Sequence, residues 1–297
     1  MVRQGPAKPR SPVRIWVPPF LFCIIMLYLV ATPIGNLADI TLRALEALKD
    51  SDYILCEDTR HSSVLLNHYE IKKSLKSYHK FNEASMEDRV IEDLRSGKTI
   101  SLISDAGTPC ISDPGFRMVK RCQEEEIAIT TLPGPCAAIQ ALTSSGLDSQ
   151  RFQFIGFLPR KSGELKSTLI DVFLYEGTTI CYESPNRLKA TLKMIDELSP
   201  NNMVAVCREM TKKFEETKKG TASELIAHWN DRNVKGEIVL VISPKEKHTP
   251  WDDITPKEHV AMLQEMFSIS EKEAIKLCAE LRGTPKRILY NDIHNER

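Results

Sequence analysis

The sequence lacks the short patterns by which metal, disulfide and nucleotide sites are most often recognised. Its eight cysteines (Cys23, Cys56, Cys110, Cys122, Cys136, Cys181, Cys207 and Cys278) contain no CxxC pair, and its seven histidines form no HExxH or comparable spacing. Neither a zinc site nor a disulfide framework is therefore expected, and no metal is assigned. The cysteines sit mostly in apolar stretches, which reads as buried free thiols in a reducing, cytoplasmic compartment. There is no GxGxxG and no P-loop, so a dinucleotide or nucleoside triphosphate site of the usual kind is disfavoured. Net charge is missing too: 40 basic and 40 acidic side chains cancel. No whole-molecule field would hold nucleic acid, and any polyanion contact must come from a local patch. Residues 1–25 carry Arg3, Lys8, Arg10 and Arg14 and no acid, leaving 36 basic against 40 acidic residues in the remainder. No internal repeat or low-complexity tract is present. What is there is ordinary globular composition, 42% hydrophobic and 27% charged over 297 residues. That length fits two α/β domains of roughly 110 to 130 residues each, plus a tail.

The N-terminus admits two readings. From Ile15 to Thr32 there is no charge, and the basic residues before it give the look of a signal peptide or membrane anchor. Against this, Pro18 and Pro19 interrupt the run, and Leu27 to Ala31 leads into a Gly/Pro turn like a buried parallel strand. Export or insertion would remove that strand. Residues 1–25 are therefore expected to be a dispensable extension ahead of a true start at Met26. A targeting or membrane role is the competing reading, and no membrane partner is expected.

After Met26, short apolar runs alternate with amphipathic stretches, the pattern of a parallel α/β sheet. Strands are expected at 27–31, 53–56, 74–78, 99–104 and 128–132. Between them fall a helix capped by Asp39, one over 62–69, one capped by Ser85 and ending at Gly97, and one over 116–125. A helix over 137–145, stopped by Gly146, completes a five-strand domain spanning 26–147. A second domain over 148–244 has strands at 152–157, 178–182, 203–207, near 214–218 and at 237–242. Its helices fall near 164–174, 187–198 and 222–230. Residues 245–297 read as a linker and a helical tail broken at Gly283 and Pro285, with Ala274, Leu277, Cys278 and Leu281 as the buried face of one helix.

In open parallel sheets, ligands sit beyond the carboxyl ends of the strands. Four such ends carry unusual chemistry: Thr32-Pro33-Ile34-Gly35-Asn36-Leu37, Glu57-Asp58-Thr59-Arg60-His61, the long loop from Ser104 to Gly115, and Pro133-Gly134-Pro135. Glycine and proline at this density shape loops and leave peptide groups open to a ligand. Singly, each is most simply a turn, and Glu57, Asp58 and Arg60 a solvated ion-pair cluster or helix cap. Together they occupy one edge of one expected sheet.

The blocks VATPIGNLADITLRAL, CEDTRHS, SDAGTPCISDPG and LPGPCAAIQAL, in that order, resemble the tetrapyrrole-methylase superfamily of S-adenosylmethionine-dependent enzymes. Within it they resemble the ribosomal RNA small subunit methyltransferase I family, which methylates the ribose 2′-oxygen of a cytidine in 16S rRNA. The resemblance continues through Gly156-Phe157-Leu158-Pro159, Tyr182-Glu183-Ser184, Arg208 to Lys212 and Lys235-Gly236-Glu237-Ile238, covering about Leu27 to Ile242. It implies two α/β domains of tetrapyrrole-methylase type with S-adenosylmethionine in the cleft between them, a homodimer, and the small ribosomal subunit or its 16S rRNA as partner. Carried over by position, the cofactor would meet Pro33, Gly35, Asp105, Ala106, Gly107, Thr108, Asp113, Pro133, Gly134 and Pro135. The second domain would contribute Tyr182, Arg208 and Glu209. The tetrapyrrole enzymes have a GxGxGD type of first turn where this chain has Thr-Pro-Ile-Gly-Asn, a departure that favours the RNA branch.

A ribose hydroxyl is weakly acidic, so methylating it calls for a base or acceptor as well as in-line positioning. Glu57, Asp58 and Asp105 are the acids so placed, and the sequence does not choose among them; Arg60, also at this edge, is a further catalytic candidate. Arg60, Arg160, Lys161 and Lys212 are candidates to hold RNA phosphate. Further basic runs occur at Lys72, Lys73, Lys76, His79 and Lys80, and at Arg282, Lys286 and Arg287. Isolated charge runs are more often solvated faces than binding sites. Tyr78 and Phe81 beside the first run could stack a splayed base or serve only as core. The rival functions are a same-fold methyltransferase acting on a tetrapyrrole or other small molecule, and a non-catalytic ribosome-binding module.

Overall fold

The computed structural model describes residues 26–230, 234–244 and 254–294; the expected N-terminal extension lies outside them. The first sheet is wholly parallel, with β1 (Met26–Val30), β2 (Tyr53–Cys56), β3 (Ser74–Ser77), β4 (Ile100–Ile103) and β5 (Ala128–Leu132) in the order β3-β2-β4-β1-β5. Helices α1 (Leu42–Asp50) and α2 (Thr59–His68) cover one face, and α3 (Glu83–Arg95) and α4 (Phe116–Glu124) the other. Covering both faces is why every residue of β2 and β4 is buried, without alternation. Leu55 and Leu102 pack toward α3 and α4, while Ile54 and Ile103 pack toward α1 and α2.

Helix α2 begins at Thr59, three residues earlier than expected, and the two expected helix caps differ as well. Asp39 lies in a tight helical turn over Leu37–Asp39, and α1 is capped by Thr41, whose hydroxyl accepts from Ala44 N at 3.2 Å. Helix α3 begins at Glu83, two residues ahead of Ser85. The preceding Asn82 does not cap it, because its amide turns back to hold His79 N and Ser77 O. At the other end Gly97 adopts φ +97°, as its expected place after the helix requires.

Helix α5 (Ala137–Ser145) follows the first sheet in sequence, but its Ala138, Ala141 and Leu142 pack on Ile180, Ala205, Cys207, Val239 and Val241 of the second sheet. It joins the two layers. The second sheet contains β6 (Phe152–Phe157), β7 (Thr178–Glu183), β8 (Met203–Arg208), β9 (Glu216–Thr221) and β10 (Ile238–Ile242), ordered β6-β7-β10-β8-β9. Only β6 and β7 are parallel; β10 runs antiparallel to both β7 and β8, and β8 antiparallel to β9. The expectation of a parallel sheet throughout is thus corrected. β8 and β9 are joined by a short hairpin connection with no crossover helix, and antiparallel pairing follows from that connection. Strand β9 also starts later than expected, at Glu216. Helices α6 (Ser162–Leu174), α7 (Leu188–Leu198) and α8 (Ala222–Trp229) cover the face opposite α5, with Trp229 fully buried among them.

The chain divides into two compact units at Pro244 and Lys245. The second unit has α9 (Pro256–Phe267), α10 (Glu271–Leu281) and α11 (Lys286–His294). Thr255–Glu258 and Ser270–Glu273 form reciprocal capping boxes at the first two helices. The buried face of α10 is Ala274, Ile275, Cys278 and Ala279. Leu281, expected inside, is exposed, because the contacts with α9 and α11 favour the Ile275–Ala279 side. No helix among the described residues is long and apolar enough to cross a membrane.

Candidate functional site

The carboxyl end of β1 is stitched to the loop after β4. Thr32 N donates to Gly107 O at 2.9 Å and Gly107 N to Thr32 O at 3.0 Å. Thr32 Oγ1 donates to Ser104 O, and Ser104 Oγ to Gly107 O, each at 3.1 Å. Gly107 sits at φ +86°, a conformation that side-chain-bearing residues seldom adopt. Thr108 Oγ1 then donates to Pro135 O at 2.9 Å, tying this loop to the turn after β5. Cys110 and Ser112 also have positive φ, at +71° and +64°, so the 104–115 loop stores backbone strain of the kind that gathers at binding sites.

These loops wall a cavity of about 490 Å³ between the two sheets, within the range of small-molecule sites. Asp105, Ala106, Gly107, Thr108 and Asp113 line it from the first sheet and Tyr182 from the second. Ile34, of the expected Thr32–Asn36 turn, lines it too, as do residues that sequence reasoning had not assigned to the site, chiefly Met210 and Glu237. Pro33 and Gly35 line an adjoining cavity of about 320 Å³ together with Lys212. From the turn after β5 the cavity takes Cys136 and Ala137; Pro133, Gly134 and Pro135 stand behind them, with Gly134 pressed against Ala31.

Arg208 and Glu209 lie off the cavity wall. Arg208 pairs with Glu216 at 2.9 Å and donates to Lys235 O. Glu209 accepts from Lys212 Nζ and from Glu237 N, both at 3.1 Å, and so braces the Gly236–Glu237 wall from behind. Lys212 Nζ also reaches Glu237 Oε2 at 2.9 Å. The strap 209–212 crosses to the first sheet, where Asn36 N donates to Thr211 Oγ1 at 3.1 Å. Arg160 and Lys161 are exposed, the latter paired with Glu164 at 2.9 Å.

The acids separate by environment. Asp58 caps α2, accepting from Arg60 N, and its carboxylate is gripped by the Arg60 side chain at 2.7 and 3.1 Å. Those hydrogen bonds hold it well below the usual carboxylate range, which makes it a poor base. Glu57 is pushed up by burial and then by Asp105. Asp113 is pushed up to about 6, by burial first and then by Glu57. Asp105 accepts from Asp58 N at 3.1 Å. Burial also raises Cys110 to about 11 and Tyr182 to about 12, so both remain protonated at neutral pH.

Asp105 borders a third, shallower depression of about 480 Å³, shared with Glu57, Arg60, His79, Lys80 and Phe81. Glu57 and Asp105 therefore line both the cavity between the sheets and a more open depression that Arg60 and Lys80 also line. Among the described residues there is no cluster of three or more side chains able to hold a metal ion.

Residues 26–226 match the family model for Tetrapyrrole (Corrin/Porphyrin) Methylases. The chain is 46% identical over 276 residues to ribosomal RNA small subunit methyltransferase I of Halalkalibacterium halodurans, covering 91% of this chain and 95% of that protein. To the protein of the same name from Bacillus subtilis it is 44% identical, covering 91% and 94%. Among solved structures, a diphthine synthase superposes with TM-score 0.59 at 14% identity, over 75% of this chain and 91% of that one. A cobalt precorrin-4 methyltransferase of cobalamin biosynthesis superposes with TM-score 0.55 at 17% identity, over 74% and 95%. These two likenesses establish the fold alone.

Proposed function

The chain belongs to the tetrapyrrole methylase family and, within it, to the ribosomal RNA small subunit methyltransferase I family, and from this we propose that it methylates the ribose 2′-oxygen of a cytidine in 16S rRNA. S-adenosylmethionine is the methyl donor, the small ribosomal subunit or its rRNA the acceptor, and the working form a cytoplasmic homodimer. The observation that carries this reading is the position of Glu57 and Asp105, lining both the cavity between the sheets and the more open depression that Arg60 and Lys80 also line.

The cavity between the sheets fits the donor. Ile34, Met210 and Val239 give apolar surface for an adenine, while Glu57, Asp105 and Asp113 set negative charge against a sulfonium and an ammonium group. Bound there, S-adenosylmethionine supplies an already activated methyl group. The protein's own part is then alignment, exclusion of water and removal of one proton. Asp58 N orients Asp105, and the Glu57–Asp105 pair accepts the hydroxyl proton, burial and then the neighbouring Asp105 raising the proton affinity of Glu57. The Arg60 and Lys80 rim favours a polyanionic acceptor over a small uncharged one.

The test is methyl transfer from labelled S-adenosylmethionine to small subunits that lack the modification, followed by nucleoside analysis. Labelled 2′-O-methylcytidine is expected. Cofactor binding without label in RNA would overturn the reading and point to a small-molecule acceptor.

A further inference from the structure

We infer that Phe81 is the platform on which the acceptor's base stacks after it has been turned out of its own helix. The inference rests on the proposed rRNA methyl transfer and adds the conformation in which the nucleotide is taken. Phe81 is 95% exposed, more than any other large apolar side chain among the described residues. Its neighbour Tyr78 is buried at 1%, so the chain places one aromatic in the core and thrusts the other into water.

The turn that does this is built for it. His79 N donates to Asn82 Oδ1 at 2.7 Å, and Asn82 Nδ2 donates to Ser77 O at 3.0 Å. Asn82 N and Glu83 N both donate to His79 O at 2.9 Å. Phe81 N donates to His79 Nδ1 at 3.3 Å, and the two rings meet edge-on, 6.0 Å between centroids and 67° between planes. Backbone bonds, not core packing, hold the phenyl ring outward. It overlooks the depression whose floor carries Glu57 and Asp105 and whose rim carries Arg60 and Lys80.

A single exposed apolar side chain is commonplace. An aromatic ring carried on a hydrogen-bonded turn beside an acid pair and two cations suits one kind of occupant: a nucleotide with its base on the ring, its sugar hydroxyl over the carboxylates and its phosphates at the rim. A nucleotide still paired and stacked in a helix has no free face to offer, so the acceptor must be extruded or lie in a single-stranded segment. Stacking of this kind needs no particular base, because every base has a π-face. Phe81 therefore positions the substrate and leaves the choice of base to other contacts.

The test compares Phe81→Ala, Phe81→Leu and Phe81→Trp with the unaltered enzyme, using the full chain on unmodified small subunits. Alanine and leucine should lower kcat/KM by roughly 5- to 100-fold, the span expected for losing one stacked base. Tryptophan should keep most of it, and calorimetric binding of S-adenosylmethionine should be the same in all four proteins. Full activity in Phe81→Ala, or equal activity in the leucine and tryptophan variants, would overturn the stacking role while leaving rRNA methylation intact. If the unaltered enzyme places no label in RNA, the parent reading falls and the stacking role with it.

Discussion

The backbone amide of Asp58 donates to the carboxylate of Asp105 at 3.1 Å, joining the loop after β2 to the loop after β4. One hydrogen bond thus aims an acid at the site with a group that carries no charge of its own. Asp105→Asn keeps an oxygen to accept that bond but cannot take a proton. Its single-turnover methyl transfer should fall by about 10²-fold or more, with cofactor affinity within a few fold. The double change Glu57→Ala, Asp58→Ala should also depress single-turnover transfer. Unchanged rates in both proteins would remove the acid pair from the mechanism.

The elevation of Asp113 to about 6 makes cofactor binding depend on pH. Below that value the group is neutral; above it, a carboxylate faces the cavity. Affinity for the cationic donor should rise as pH increases through about 6, and Asp113→Asn should flatten the rise. S-adenosylhomocysteine, whose sulfur is neutral, should show a weaker dependence. Calorimetry at pH values on either side of the transition would show it, and parallel pH profiles for the two Asp113 forms would count against the assignment.

The same group sets a sign for stability. An unfolded chain releases this proton near 3.8, whereas the folded one keeps it to about 6. Within that window the folded state binds more protons, so this group's contribution to stability is lost as pH rises. Asp113→Asn should be unaffected by that loss. Relative to the unaltered protein, its urea midpoint should be higher at pH 7 than at pH 4.

Gly35 is a point of close approach between the two sheets. A Cβ there would lie 2.7 Å from Thr211 Oγ1 and 3.0 Å from Met210 O. Gly35→Ala should push the strap off the first sheet, cost about 1–3 kcal/mol in urea unfolding and weaken cofactor binding through displacement of Met210. A cofactor affinity equal to that of the unaltered protein would show that the strap does not close the cavity.

Glu183 is 1% exposed at its side chain and sits at 3.3 Å from Arg187. It also accepts from Thr191 Oγ1 at 2.6 Å and from Ser184 N at 2.7 Å. Arg187 in turn donates to Leu158 O and Pro159 O. Glu183→Ala leaves a half-buried guanidinium without its counter-charge and should cost about 3–5 kcal/mol in denaturant unfolding. A loss under about 1 kcal/mol would mean that water replaces the carboxylate freely.

The first sheet was legible because its central strands are buried on both faces and bounded by Gly/Pro loops, and the loops that line the cavities lie where parallel topology puts them. The direction of the second sheet was not legible. Runs such as Ile238–Ile242 are equally apolar in parallel and antiparallel pairings, and only the short hairpin connection after β8 decides. Arg208 and Glu209 were expected at the cofactor by position within the family resemblance, yet Arg208 faces Glu216 and Glu209 faces Lys212. Met210, the residue of that stretch which does reach the cavity, is an apolar side chain in a polar segment and carried no chemical signal. Phe81 and Tyr78 could not be told apart by composition; the Asn82 turn separates them.

Strand β10 lies in the middle of its sheet, between β7 and β8, although it is the last of the five to occur in the chain. A chain emerging from the ribosome completes the first sheet once Leu132 is free, since all five of its strands precede that point. The second sheet is different: β6 and β7 cannot join β8 and β9 until Ile242 has emerged to bridge them. During synthesis the protein therefore passes through a stage with one finished half and one split half, whose open strand edges are prone to wrong pairing. The cavity wall at Gly236–Val239 is laid down only when that bridge closes, so the capacity to hold a ligand appears at the end of folding and not gradually along the way.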